Sequence, residues 1–234
     1  MATSAPPLLL PTLLTPRGRP TARETPAPAL LSFADLIGRL VEVQGIGAAG
    51  RTSWVAGLVA RVQRLGEHAA WVQVRGGSLY PPDLAAAGID LARLPVVRVP
   101  EAKDLLRAAD VLLRSGGFGL CVVDCSQAEA PSPAAGRRDA AHPDAARPDA
   151  ARPDAALGRL LGLCQKHAAA LVLVRGEPEP EGAGLGSLVS LRLEVKRGRL
   201  TGPMAVLRIE VRKDKRRGPG RAVEERWQGP AGCG

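Results

Sequence analysis

Within residues 39–62, RLVEVQGIGAAGRTSWVAGLVARV, the hydrophobic period changes from two residues to about 3.6 across one glycine-rich turn. RLVEVQG has the alternation of a strand running into the glycines. RTSWVAGLVARVQRLG then places Trp54, Val55, Leu58, Val59 and Val62 on one helical face. Strand, glycine loop and helix form the context in which backbone N–H groups cradle phosphate, normally with a lysine just before the closing hydroxyl residue. In GIGAAGRT, Gly45 to Thr52, Arg51 stands where that lysine is expected. Arginine and lysine differ in shape, hydration and donor geometry. Two readings therefore stand side by side: a loop that holds nucleotide through arginine, and a structural turn that keeps its glycines for backbone freedom.

The rest of the chain continues the alternation. Ser32 suits the N-cap of a short helix through Ile37. AAWVQV reads as a strand, PPDLAAAG as a short helix and LPVVRVP as a strand. EAKDLLRAADVLLRSGG reads as a helix with Leu105, Leu106, Ala109, Leu112 and Leu113 inward. FGLCVVDC is nearly continuous in apolar residues up to Asp124, as expected for a central strand covered on both faces. Strands alternating with helices imply an α/β fold with a mostly parallel, doubly wound sheet, whose ligands sit beyond the carboxyl ends of the strands. Both the glycine turn and Asp124 fall there.

Residues 1–31 are proline-rich and aperiodic and read as a disordered arm. Residues 126–156 are a low-complexity insertion built on Asp-Ala-Ala-Arg-Pro, where proline at every fifth position forbids a continuous helix. ALGRLLGLCQKHAAALVLVRG restores a helix and then a strand ending near Arg175. After GEPEPEGAGLG, the runs SLVSLRLEVKRG and PMAVLRIEVRKD alternate as an antiparallel pair, with AVEERW as a last short strand. One domain over 32–227, with a tail at 228–234, is the expected organisation.

Aromatic residues are only 3% of the chain, so Leu, Val, Ala and Ile must fill the core. The cysteines at 121, 125, 164 and 233 show no metal-ligand spacing; Cys121 and Cys164 read as small buried hydrophobes, and a reducing cytoplasm is the expected compartment. No segment approaches the roughly 18 uninterrupted apolar residues of a membrane helix. Histidines 68, 142 and 167 are scattered, and no Ser/His/Asp or metal constellation points to another enzyme class.

In their order these elements resemble the core of the RecA recombinase family over residues 32–227, on GIGAAGRTSWV, RSGGFGLCVVDC, GRLLGLCQKHAAALVLVRG and the C-terminal hairpin followed by RKDKRRGPGRAVEERW. The resemblance places Gly45, Gly50, Arg51 and Thr52 in the phosphate loop. Thr52 and Asp124 take the positions that organise magnesium. Lys213 and Lys215 match a lysine pair that reaches ATP on the neighbouring subunit of the family's filament. It also exposes departures. Where the family has a catalytic glutamate after the second strand, this chain reads VRGGSLYP, with Gly76 or Gly77 in the place of the base. The glutamine that senses the γ-phosphate aligns near Gly176, in VRGEPEPEG. ATP and Mg2+ are therefore expected to be bound weakly if at all, and no residue is assigned a catalytic role.

A hydrolysis-impaired chain of this kind further resembles the ImuA family, RecA- and SulA-related accessory factors of the bacterial SOS response. That likeness implies an ImuB-like polymerase homologue, an error-prone replicative-type polymerase and RecA as partners in translesion synthesis. An ATP-dependent recombinase that binds single-stranded DNA and a SulA-like inhibitor of cell division are the alternatives; nucleotide-enhanced filaments would mark the first and binding to the division GTPase the second. The formal charge of +9 is concentrated: Arg192 to Arg226 hold twelve basic residues against five acidic ones. Lys213, Lys215, Arg216, Arg217 and Arg221 are the candidates for non-specific contact with DNA phosphates or an acidic partner, beside the plainer reading of a solvated basic stretch.

Overall fold

A computed structural model describes residues 31–46, 50–77, 79–126, 153–176, 186–198 and 204–228. Residues 1–30 of the expected arm, most of the Asp-Ala-Ala-Arg-Pro insertion and the tail beyond Gln228 lie outside the described residues, whereas Leu31, expected to end the arm, is buried in the core because its apolar side chain packs with the α1 layer.

Among the described residues eight strands form one sheet: β1 (Arg39–Gln44), β2 (Ala69–Val74), β3 (Val96–Val99), β4 (Leu120–Asp124), β5 (Ala170–Val174), β6 (Leu191–Arg197), β7 (Met204–Asp214) and β8 (Ala222–Gln228). Their spatial order is β3-β2-β4-β5-β1-β6-β7-β8. From β3 to β6 all neighbours run parallel; β6, β7 and β8 continue the sheet antiparallel. The fold is thus an α/β, RecA-like architecture with added antiparallel strands at the C-terminal end.

The helices α1 (Arg51–Arg64), α2 (Pro81–Ala86), α3 (Leu105–Arg114) and α4 (Pro153–Lys166) flank this sheet. Strand pleating divides the core into two layers. Val41 and Val43 of β1, Leu120 and Val122 of β4 and Val172 of β5 pack with Trp54, Val55, Leu58, Val59 and Val62 of α1 and Leu84 of α2. On the opposite face Leu40, Val72, Cys121, Val123, Leu171 and Leu173 pack with Leu105, Ala109 and Leu113 of α3 and Leu157, Leu160 and Cys164 of α4. Each fully buried Val or Leu contributes about 1.5–3 kcal/mol of transfer free energy. The central strands β1, β4 and β5 are buried at every position, hence the near-continuous apolar sequence of β4 and β5, whereas β1 buries Arg39, Glu42 and Gln44 among its apolar residues.

Local differences from expectation have local causes. Ser32 is the expected N-cap, its N–H donating to Asp35 Oδ2 at 2.9 Å, but it caps a three-residue 3-10 turn, Phe33–Asp35, rather than a helix through Ile37, before Gly38 turns the chain into β1 with φ +70°. Within α3 only Leu105, Ala109 and Leu113 are fully buried; Leu106 and Leu112 are half-buried at the rim of the apolar stripe. Helix α4 begins at Pro153, before the Ala156 at which helical periodicity becomes readable, because proline at the first helical position gives up only an N–H that has no intrahelical partner.

Candidate nucleotide loop and its surroundings

The β1–α1 turn sits at the carboxyl edge of the sheet. Gly50 ends it in the left-handed region, φ +80°, as the N-cap of α1. The left-handed conformation is what requires glycine here, and a Cβ would in addition displace Cδ2 of Leu207, which reaches over from β7.

Arg51 is the first residue of α1. Its Nη1 donates to the carbonyl oxygen of Gly45 and, at 2.6 Å, to that of Gly176. Gly176 lies just past β5, the strand beside β1, and its carbonyl also accepts from the Gly45 N–H at 3.2 Å. The guanidinium therefore turns back into its own turn and bridges the ends of two adjacent strands. Thr52 is half-buried in the first turn of α1.

Asp124 ends β4, and strand alternation places it on the α1 face with Leu120 and Val122. In register it lies level with Val174 of β5 and Gln73 of β2, two strands and so about 10 Å from the β1 backbone. Its Oδ1 accepts from the Ser126 N–H at 3.0 Å and the Ser126 hydroxyl at 2.5 Å, the bonding of a turn that closes a strand end. The fold thus brings Gly45, Gly50, Arg51, Thr52 and Asp124 to one edge and one face.

Gln73 is a residue that sequence reasoning missed. It is 1% exposed, and neither its amide nitrogen nor its amide oxygen has a hydrogen-bond partner. Gly77 lies directly over it, since a Cβ there would come within 2.6 Å of Gln73 Cδ. No side chain, and hence no carboxylate, fits at position 77 unless Gln73 moves. The segment after β2 offers Arg75, Gly76 and Gly77, with Gly76 at φ +84°.

The basic run has inward partners. Lys213 donates to the Gly186 carbonyl at 3.3 Å and Lys215 to that of Ser187. Arg216 reaches the carbonyls of Asp35 and Ile37, and Arg217 pairs with the Asp35 carboxylate at 2.6 Å. Arg221 pairs with Asp214, which also accepts from Arg39 Nη2 at 2.7 Å and from the Arg216 N–H at 2.9 Å. Burial raises the pKa of the Asp214 carboxyl, but these hydrogen bonds and the Arg39 charge outweigh it and hold the group below its ordinary value. For Lys213, desolvation together with the charges of Lys215 and Arg192 lowers the ammonium pKa against a pull from Glu42.

Glu42 is a second buried charge inside a strand, salt-bridged to Arg192 at 2.7 Å and Arg175 at 3.5 Å. On the sheet face opposite α1, Lys196, Arg208 and Arg212 interleave with Glu194, Glu210 and Glu224 in ion pairs. Much of the positive charge counted in the sequence is therefore met within the protein. Among the described residues no group of three or more His, Cys, Asp or Glu side chains could hold a metal ion, and no helix is long and apolar enough to cross a membrane.

A glycine turn leading into a helix at the carboxyl edge of a parallel sheet, with an acid ending a nearby strand, defines a phosphate-loop type of α/β domain. The chain belongs to the RecA N-terminal domain family, which matches residues 34–216. It is 36% identical over 94 residues to protein RecA of Saccharopolyspora erythraea, covering 40% of this chain and 27% of that one. Against protein RecA of Lactobacillus acidophilus it is 28% identical over 173 residues, 68% of this chain and 47% of the relative. The chain thus spans about half the length of such relatives, or less. The crystal structure of the RadB recombinase shares the fold, with a TM-score of 0.59 at 18% identity, covering 81% of this chain and 87% of that one.

Proposed function

We propose that this RecA-family domain is a non-catalytic accessory protein in DNA repair, supporting error-prone translesion synthesis through protein contacts. The observation that carries the reading is the end of β2. Hydrolysis needs a base to activate water, and the segment where the family supplies one holds Arg75, Gly76 and Gly77, with Gln73 filling the space a side chain at 77 would need. Asp124, level with Gln73 in register, has one oxygen engaged by Ser126. A polymerase-like protein of the ImuB kind, an error-prone replicative-type polymerase and RecA itself are the proposed partners, and the compartment is the cytoplasm. Non-specific DNA contact through Lys215, Arg216 and Arg217, which stay exposed, is a secondary capability.

The test is phosphate release from Mg-ATP by the full chain, with and without single-stranded DNA, in wild type and Asp124→Ala. The expected result is no DNA-stimulated turnover in either protein. Robust turnover that disappears with Asp124→Ala overturns the proposal.

A further inference from the structure

The described residues at the β1–α1 junction do not fit a bound Mg-ATP, because Arg51, the cation at the phosphate-loop position, is committed to the protein's own backbone. We infer that Arg51 is the internal occupant of this turn: its guanidinium ties the carboxyl ends of β1 and β5 together and excludes triphosphate. The inference rests on the non-hydrolysing reading above and adds how the site is kept closed.

A positive side chain in the first turn of a helix faces the positive end of the helix dipole, an unfavourable placement that something must offset. Here two carbonyl oxygens do so, accepting from one nitrogen of Arg51. Gly45 and Gly176 are also joined by a backbone hydrogen bond, so the guanidinium closes a three-residue junction between neighbouring strands. On another side of the turn the Leu207 side chain packs against Gly50 and would have to shift to admit a methyl group. A phosphate that recruited Arg51 would take both bonds from these carbonyls. Each bond surrendered lowers affinity roughly 10- to 100-fold, the worth of a charge-assisted hydrogen bond. The dipole and the glycines are those of an anion site, but its cation serves as a tie.

The experiment uses the full chain as wild type, Arg51→Lys, Arg51→Gln and Arg51→Ala. Thermal melts are recorded without nucleotide, and calorimetric titrations use Mg-ATP and inorganic triphosphate as probes. A tie predicts melting temperatures about 6–20 °C lower in Arg51→Ala and a clear lowering in Arg51→Lys, and no saturable heat with either probe in wild type up to millimolar concentration. Arg51→Lys keeps the charge but not the reach of the guanidinium, so its loss of stability separates geometry from charge. If Arg51→Ala does not fold, Arg51→Lys and Arg51→Gln make the same comparison. Unchanged melting temperatures overturn the inference, as does wild-type triphosphate binding that Arg51→Ala abolishes. The melts contain no nucleotide and so read the tie alone, while failure of the non-hydrolysing reading shows separately as phosphate release by wild type.

Discussion

Replacing Asp214 by Ala removes the acceptor that joins the start of β1 to the β7–β8 hairpin. The side chains of Asp214 and Arg39 are 1% and 3% exposed, and Arg221 and the Arg216 N–H converge on the same carboxylate. Removing one partner of such a pair strands a buried guanidinium, which costs about 3–5 kcal/mol, far more than the exposed pairs of β6–β8, whose typical worth is about 0–1 kcal/mol. For a chain of this size that corresponds to a melting temperature lower by about 6–20 °C. The loss is a large share of the roughly 5–15 kcal/mol that holds an ordinary domain together. Urea unfolding followed by circular dichroism measures it, with an unchanged m value showing that the fold itself is retained. Acid gives an independent check. The folded pKa of Asp214 is depressed, so its contribution is complete above the ordinary carboxylate value of 3.8 and is lost as pH falls below that through the folded value. Wild type should therefore lose stability on acidification more steeply than Asp214→Ala. A destabilisation under about 1 kcal/mol, or parallel acid profiles, would refute the argument that this buried carboxylate organises its arginines.

Two further predictions concern residues fixed by packing. Gly50→Ala should destabilise the chain by about 1–3 kcal/mol, from left-handed backbone strain and the collision with Leu207, and a wild-type melting temperature would show that the turn relaxes freely. Burial pushes the Cys121 thiol up, and that of Cys164 up to about 12, so neither should react with a thiol reagent at neutral pH until urea unfolds the chain; rapid labelling of either in the native protein would contradict their place between the sheet and α3 and α4.

The layered fold was legible because its signals are short-range. The alternating run at β1, the apolar runs at β2 and β4, the helical stripe of α1 and the glycine turn each need only a dozen neighbouring residues to declare themselves, and all lie where those patterns put them. The tandem alternation also implied a parallel sheet, and the hairpin implied the antiparallel addition. Charge was less legible. Arg39 and Glu42 sit inside an apolar strand, a hint that each has a buried partner, but nothing nearby in sequence names it. Arg39 finds Asp214 across 175 positions, and Glu42 finds Arg192 across 150. The basic run 212–217 could be counted from the sequence, whereas its inward pairing with Asp35, Ile37, Gly186 and Ser187 could not.

By itself, then, the sequence determined the kind of layers, the place of the turn and the presence of arginine where lysine was expected. Only the tertiary structure decided what that arginine touches. Gly45 is six residues from Arg51, but Gly176 is 125 away, and the two carbonyls come within reach of one guanidinium only because β5 lies beside β1 in the sheet. Periodicity follows from local backbone geometry, whereas the partner of a hydrogen bond depends on strand order, which local periodicity does not encode.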